Sequence, residues 1–187
     1  ALPICSGCGY EYARIMAQKG YKLLIVSNEE AIHDKALLLR QDFGVEVVSL
    51  VRNLGVQDAA KELYDYCKAA NIQVEVLINN AGVYHDCDFL ADSEGFNQLI
   101  FNLHMHTPAM LMYYFAQDMV QRGKGYILNM CSITADIAVQ RLSTYGALSP
   151  EFSCRRRLFS MFRMKVSRHQ LPTTHIIQRN QLRYPER

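Results

Sequence analysis

No apolar run in the 187 residues approaches the roughly 18 consecutive positions that a membrane-spanning helix needs. The first residues do not read as a signal peptide either, so the sequence predicts a soluble protein of the reducing cytoplasm, with no membrane partner. Metal-ligand spacing is missing as well. The six cysteines, Cys5, Cys8, Cys67, Cys87, Cys131 and Cys154, are scattered. Only Cys5 and Cys8 form a Cys-x-x-Cys pair, and thioredoxin-like chemistry needs that pair after a strand in another context. Zinc and redox roles are therefore not expected. There is no internal repeat and no low-complexity tract. Net charge is small, +2, while half of the residues are hydrophobic. That balance argues against disorder and supplies a sizeable core, and the length fits one domain.

The charge is nonetheless uneven. Residues 1–148 hold 11 Lys/Arg against 16 Asp/Glu, and residues 149–187 hold 9 against 2. The shift divides the chain into a folded domain over 1–148 and a basic tail over 149–187 with little strand pattern. A basic cluster between Arg155 and Arg168 raises the question of an acidic partner. No aromatic stacking pattern accompanies it, so it reads as a solvated face and nucleic acid is not expected.

Strands and helices alternate along the first part. Tyr10 to Gln18 has helical apolar spacing, with Ala13, Ile15, Met16 and Ala17, and Gly20 caps it. Residues 21–27 form a near-continuous apolar run, as expected of a parallel strand covered on both faces. A helix over 29–43 ends at Gly44, a strand follows over 45–51, and an amphipathic helix covers 56–70. Val74, Val76 and Ile78 then predict a buried strand that stops on Asn79-Asn80-Ala81-Gly82. Residues 96–122 carry one long helical pattern, in which Pro108 predicts a kink or a local break. A strand over 126–130 delivers Ser132 at its carboxyl end. This order implies right-handed parallel units: an α/β fold with a doubly wound, Rossmann-like parallel sheet in three αβα layers, incomplete at the C-terminus.

The small residues suggest where a ligand lies. Ala81 and Gly82 have almost no side chain, so something flat can approach their backbone closely. Gly7 and Gly9 precede a helix, where free N–H groups and the helix dipole suit a phosphate. Ser27 and Asn28 follow a strand where such folds meet an adenosine ribose. No acid stands there to repel a 2′-phosphate, which leans the cofactor to NADP over NAD.

With the Asn79–Gly82 segment, the Gly7/Gly9 loop and Ser132 thirteen residues before Tyr145, the chain resembles the short-chain dehydrogenase/reductase family over about residues 4–147. The resemblance implies an NAD(P)-dependent oxidoreductase that interconverts a small carbonyl and an alcohol, with a homo-oligomer as an admissible state. It implies Tyr145 as acid/base and Ser132 as the group that orients the reacting oxygen. Asn102 stands for the family's helix asparagine, or His104 if the line-up is anchored on Pro108. The implied cofactor-binding positions are Ser6, Gly7, Gly9, Asn28, Asn53, Asn80, Ala81 and Gly82.

Both ends depart from the pattern. Leu2 and Pro3 fall where the family has Thr and the first Gly of its glycine fingerprint, and the first strand is nearly absent. The family's Tyr-x-x-x-Lys reads Tyr145-Gly146-Ala147-Leu148-Ser149 here. The lysine would lower the tyrosine's pKa through its charge, which a serine hydroxyl cannot do. Beyond Ser149 the family pattern ends. Two expectations follow: an enzyme with impaired turnover, or a non-catalytic, truncated or frame-altered remnant that acts at most as a binding module.

Overall fold

The computed structural model describes residues 7–83, 93–130 and 132, together with the backbone of 161–165. Its elements alternate as α1 (Gly7–Gln18), β1 (Leu23–Ser27), α2 (Ile32–Phe43), β2 (Val47–Val51), α3 (Ala59–Ala69) and β3 (Val76–Asn79). Next come α4 (Glu94–Phe101), a π-helical turn (Asn102–His106), α5 (Thr107–Arg122), β4 (Tyr126–Met130) and β5 (Met161–Lys165).

β1 and β2 pair in parallel, with Leu23 opposite Val47 and Ser27 opposite Val51. β3 and β4 also pair in parallel, with Val76 opposite Tyr126 and Asn79 opposite Asn129. Among the described residues no strand joins β1–β2 to β3–β4. β5 adds to the free side of β4 in antiparallel sense, Tyr126 opposite Lys165. The tail thus contributes a strand where the sequence suggested little; Met-Phe-Arg-Met-Lys does alternate apolar and basic residues after Met161.

Each half has its own apolar cluster. Ala13 and Ala17 of α1, Ile32, Ala36 and Leu39 of α2, Ile25 and Val47 pack together. Ala60 and Cys67 of α3, Leu111, Phe115 and Met119 of α5 and Ile127 form the second cluster, which Leu24 joins. Ile25 and Leu24 are neighbours on β1 and point to opposite faces. Helices therefore cover the strands on two sides, which is the three-layer arrangement. Ile32, Leu39, Met119 and Ile127 are fully buried, each contributing about 1.5–3 kcal/mol from burial.

Helix ends follow local chemistry. Gly44 takes φ 65° and its N–H donates to the Arg40 carbonyl at 2.9 Å, closing α2 in the left-handed conformation that favours glycine. Ser93 caps α4, its hydroxyl accepting from Phe96 N at 3.1 Å. α2 starts at Ile32, not at residue 29, because Glu29–Ala31 form a turn in which the Ser27 hydroxyl accepts from Glu29 N at 3.2 Å. The long pattern over 96–122 divides at the π-helical turn, and Pro108 sits in the first turn of α5, directly after the turn, where the helical hydrogen-bond register changes.

Candidate active site at the carboxyl ends of the strands

A cavity of about 460 Å³ runs along β1 and β3 and reaches the loops at their carboxyl ends. Gly9, Asn28, Asn53, Asn80, Ala81 and Gly82 all line it. Six of the eight expected cofactor positions thus share one wall. Gly7 is the first residue of α1 and takes φ 66°, so the helix begins three residues before Tyr10. Ser6, Tyr145 and Ser149 lie outside the described residues.

The expected positions differ in what their side chains do. Asn53 Oδ1 accepts from Gly55 N at 2.9 Å, a local turn that shapes the loop after β2. Asn79 Nδ2 donates to Asn129 Oδ1 at 2.7 Å across the β3–β4 pair. Asn129 is 1% exposed, and its Nδ2 meets Met112 Sδ at 3.1 Å. The sequence analysis missed Asn129. Its only signal is an amide inside an apolar strand, and its partner stands 50 residues away. Ser132 is half-buried, two residues beyond the end of β4.

The π-helical turn serves both sides of this crevice. Asn102 is buried; its Nδ2 donates to the Gly55 carbonyl at 2.9 Å, and its Oδ1 accepts from Gln98 at 3.0 Å. The Thr107 hydroxyl donates to the Leu54 carbonyl at 2.7 Å, and His106 Nε2 lies 3.1 Å from the Gln57 carbonyl. These three side chains tie the turn to the loop after β2. His104 points to the loop after β3, where its Nε2 lies 3.0 Å from Val83 N and 2.8 Å from Val83 O. A Cβ on Gly82 would come within 2.8 Å of His104 Cε1. An extra residue in the turn is what a π-bulge provides, and such bulges recur at functional sites. Of the two polar candidates on this helix, Asn102 contacts the β2 side and His104 contacts the Asn79–Val83 segment. Burial pushes the His104 pKa down, and its bond to Val83 opposes that only in part, so the ring is neutral at pH 7.

Arg52 is a second residue that the sequence analysis passed over. It follows β2 and lines the cavity with Asn28 and Asn53, one strand away from the ribose-side positions at the end of β1. Cys67 also lines the cavity but is buried, and desolvation pushes its thiol up to about 11. A neutral thiol is a poor nucleophile and a poor metal ligand. Among the described residues no group of three His, Cys, Asp or Glu side chains could hold a metal ion, and no helix is long and apolar enough to cross a membrane.

The geometry has counterparts of known identity. The family model for short chain dehydrogenases matches residues 4–148. The human very-long-chain 3-oxoacyl-CoA reductase is 26% identical over 148 residues, 75% of this chain and 46% of that protein. A zebrafish (Danio rerio) reductase of the same name, form B, is 25% identical over 146 residues. The chain thus spans about half the length of these relatives. Among solved structures, the bulky-bulky ketone specific alcohol dehydrogenase from Comamonas testosteroni superimposes with TM-score 0.73 at 25% identity, covering 79% of this chain and 59% of that one. A short-chain dehydrogenase from Sphingobium yanoikuyae in complex with NADPH gives TM-score 0.72 at 26% identity, covering 79% and 58%. Parallel strands ending on an asparagine-rich loop, a cavity beyond them and a family match over most of the length agree: the chain belongs to the short-chain dehydrogenase family.

Proposed function

We propose that the chain is an NADP(H)-dependent oxidoreductase of a small carbonyl/alcohol pair whose turnover is impaired. The observation that carries this reading is the shared cavity wall of Gly9, Asn28, Asn53 and Asn80–Gly82. Its chemistry suits a dinucleotide. Amides at Asn28 and Asn53 offer donors and acceptors to ribose and adenine, Arg52 beside them suits a 2′-phosphate, and Ala81 and Gly82 offer bare backbone to a flat ring. The bound nicotinamide would accept or deliver the hydride. Ser132 orients the substrate oxygen, and Tyr145 gives or takes its proton. His104 holds the Val83 backbone, and so the floor of the site, in place.

Impairment follows from Ser149. Without a lysine four residues after it, Tyr145 lacks the neighbouring charge that would favour its ionised form at neutral pH. Alcohol oxidation, which needs the base, is then very slow and climbs with pH. Carbonyl reduction uses the protonated phenol and suffers less. Fluorescence titration with NADPH and NADH checks the cofactor reading, with NADPH expected to bind more tightly. Activity from pH 7 to 10 checks the rest: Ser149→Lys should raise oxidation at pH 7 more than at pH 10. The same serine favours a second reading, a binding module without turnover. NADPH binding with no reduction of any ketone at any pH would select it, and no nucleotide binding at all would defeat both.

A further inference from the structure

β2 has a paired side and an outer side. Leu23 N donates to the Glu46 carbonyl at 2.9 Å, and Arg52 N donates to the Ser27 carbonyl at 2.7 Å. With Leu23 opposite Val47 and Ser27 opposite Val51, Glu46, Val48, Leu50 and Arg52 turn their backbone groups toward β1. Val47, Ser49 and Val51 therefore turn theirs outward. Among the described residues no strand pairs with that outer side. An open strand edge is a template for another strand, and this one has the composition for it. Residues 45–51 read Val-Glu-Val-Val-Ser-Leu-Val, a run of high strand propensity with one charge. Two arginines occupy its outward carbonyls. Arg40, in the last turn of α2, donates to the Val47 carbonyl through Nε at 3.0 Å and Nη2 at 2.5 Å. Arg52 donates to the Val51 carbonyl through Nη1 at 2.8 Å. Bonds from a charged donor are stronger than neutral ones, so an incoming N–H does not readily displace them. The Ser49 hydroxyl is turned to His33 Nδ1 at 2.9 Å and adds nothing to the edge.

We propose that Arg40 and Arg52 guard the outer edge of β2 against a second copy of this chain. The second copy is the partner that fits, because the edge is self-complementary. Val47 and Val51 lie symmetrically about Ser49. Two copies in antiparallel sense would place Ser49 opposite Ser49, and Val47 opposite Val51 of the second copy. That is a twofold, isologous contact. In this register the outward N–H and C=O of Val47 would exchange bonds with those of Val51 in the second copy, and Ser49 would do the same with its counterpart. The carbonyls of Val47 and Val51 are the ones that the guanidinium groups hold. With both arginines in place, only the Ser49 pair could form in full. The same register would also bring Arg40 of one copy against Arg52 of the other, and like charges directly opposite each other are destabilising. The helix before β2 and the residue after it thus each block one end of the edge.

Hydrogen exchange on the full chain tests this, and it is run without nucleotide because Arg52 also lines the cavity. In the unchanged chain the Val47, Ser49 and Val51 amides should exchange at least tenfold faster than those of Val48, Leu50 and Arg52 at every protein concentration. With Arg40→Ala and Arg52→Ala combined, the three outward amides should slow at least tenfold as concentration rises, together with dimer in sedimentation. Where the double variant fails to fold, either single variant reads out the same amides, with protection appearing at higher concentration. Outward amides that stay open in all the variants would overturn the proposal. Association with those amides still exchanging would overturn it too, since the contact would lie on another face. So would protection of the outward amides in the unchanged chain, where the edge would already be paired. Loss of protection at Val48, Leu50 and Arg52 in every variant would make the arginines supports of the β1–β2 pair and would likewise overturn the guarding role.

Discussion

The two halves of the molecule are built alike and used differently. In the first, α1, α2, β1 and β2 enclose a cluster of alanines and branched aliphatics. Its buried polar member, Ser27, accepts a local bond from Glu29 N. In the second, α3, α5, β3 and β4 enclose larger, softer side chains, and polar chemistry goes deep. Tyr64 stacks on Tyr114 with centroids 5.2 Å apart and meets Phe115 edge-on at 5.3 Å. The Asn79–Asn129 pair bridges two strands inside this half. A small-residue cluster lets helices approach closely and makes a stiff support. Buried amides restrict the backbone that must face a ligand, because an unpaired amide there is costly. The scaffold half therefore sets where the site lies, and the polar half sets its shape.

The strongest way to break this comparison is to empty each core in turn. Leu39→Ala in the first and Met119→Ala in the second should each cost about 2–5 kcal/mol, read as the urea midpoint. Exchange should resolve them by place: Leu39→Ala releases β1–β2 amides first and Met119→Ala releases β3–β4 amides first. If each variant opened both pairs equally, the halves would be one cooperative unit. A smaller effect sharpens the polar side. Asn129→Leu strands the Asn79 amide and should cost about 1–3 kcal/mol, whereas Ser27→Ala should cost nearer 1 kcal/mol. Equal losses would mean that the interstrand pair has no special weight.

Acid separates the halves again. The folded-state pKa of His104 lies below its ordinary 6.5. In that window the unfolded chain binds the proton first. Its stabilising share is complete above pH 6.5 and is lost as pH falls through the folded value. Thermal melts from pH 7.5 to 5 should therefore show a decline that His104→Gln reduces. An unchanged decline in that variant would assign the acid sensitivity elsewhere. The smallest effects are expected at the margin of the second half. Tyr64→Phe loses the bond from its hydroxyl to Asp118 at 3.2 Å, about 0.5–1 kcal/mol. Lys61→Ala, which removes only an exposed i,i+4 pair with Asp65, should leave the midpoint unchanged.

Much of this was legible because it is local. Four strands and the helices between them follow from apolar period. The C-terminal cap at Gly44 follows from its place after Phe43, and Gly20 likewise takes φ 80° just after α1. Helix starts were less legible. The turn at Glu29–Ala31 comes from a bond between Ser27 and Glu29 that competes with helix. The π-helical turn was read only as a break near Pro108, because a single inserted residue barely disturbs an apolar pattern of 27 positions.

What the sequence by itself determined is the order of elements, their parallel sense through short right-handed connections, and the Asn79–Gly82 loop that marks the ligand end. Each depends on residues within one turn or one strand of each other. Tertiary structure alone decided that Asn129 is the partner of Asn79, that His104 rather than Asn102 reaches the Gly82–Val83 backbone, and that Arg52 joins the cavity wall. Those outcomes join residues 21 to 53 positions apart. They depend on strand register and helix phase, which many side chains set together and no local spacing encodes.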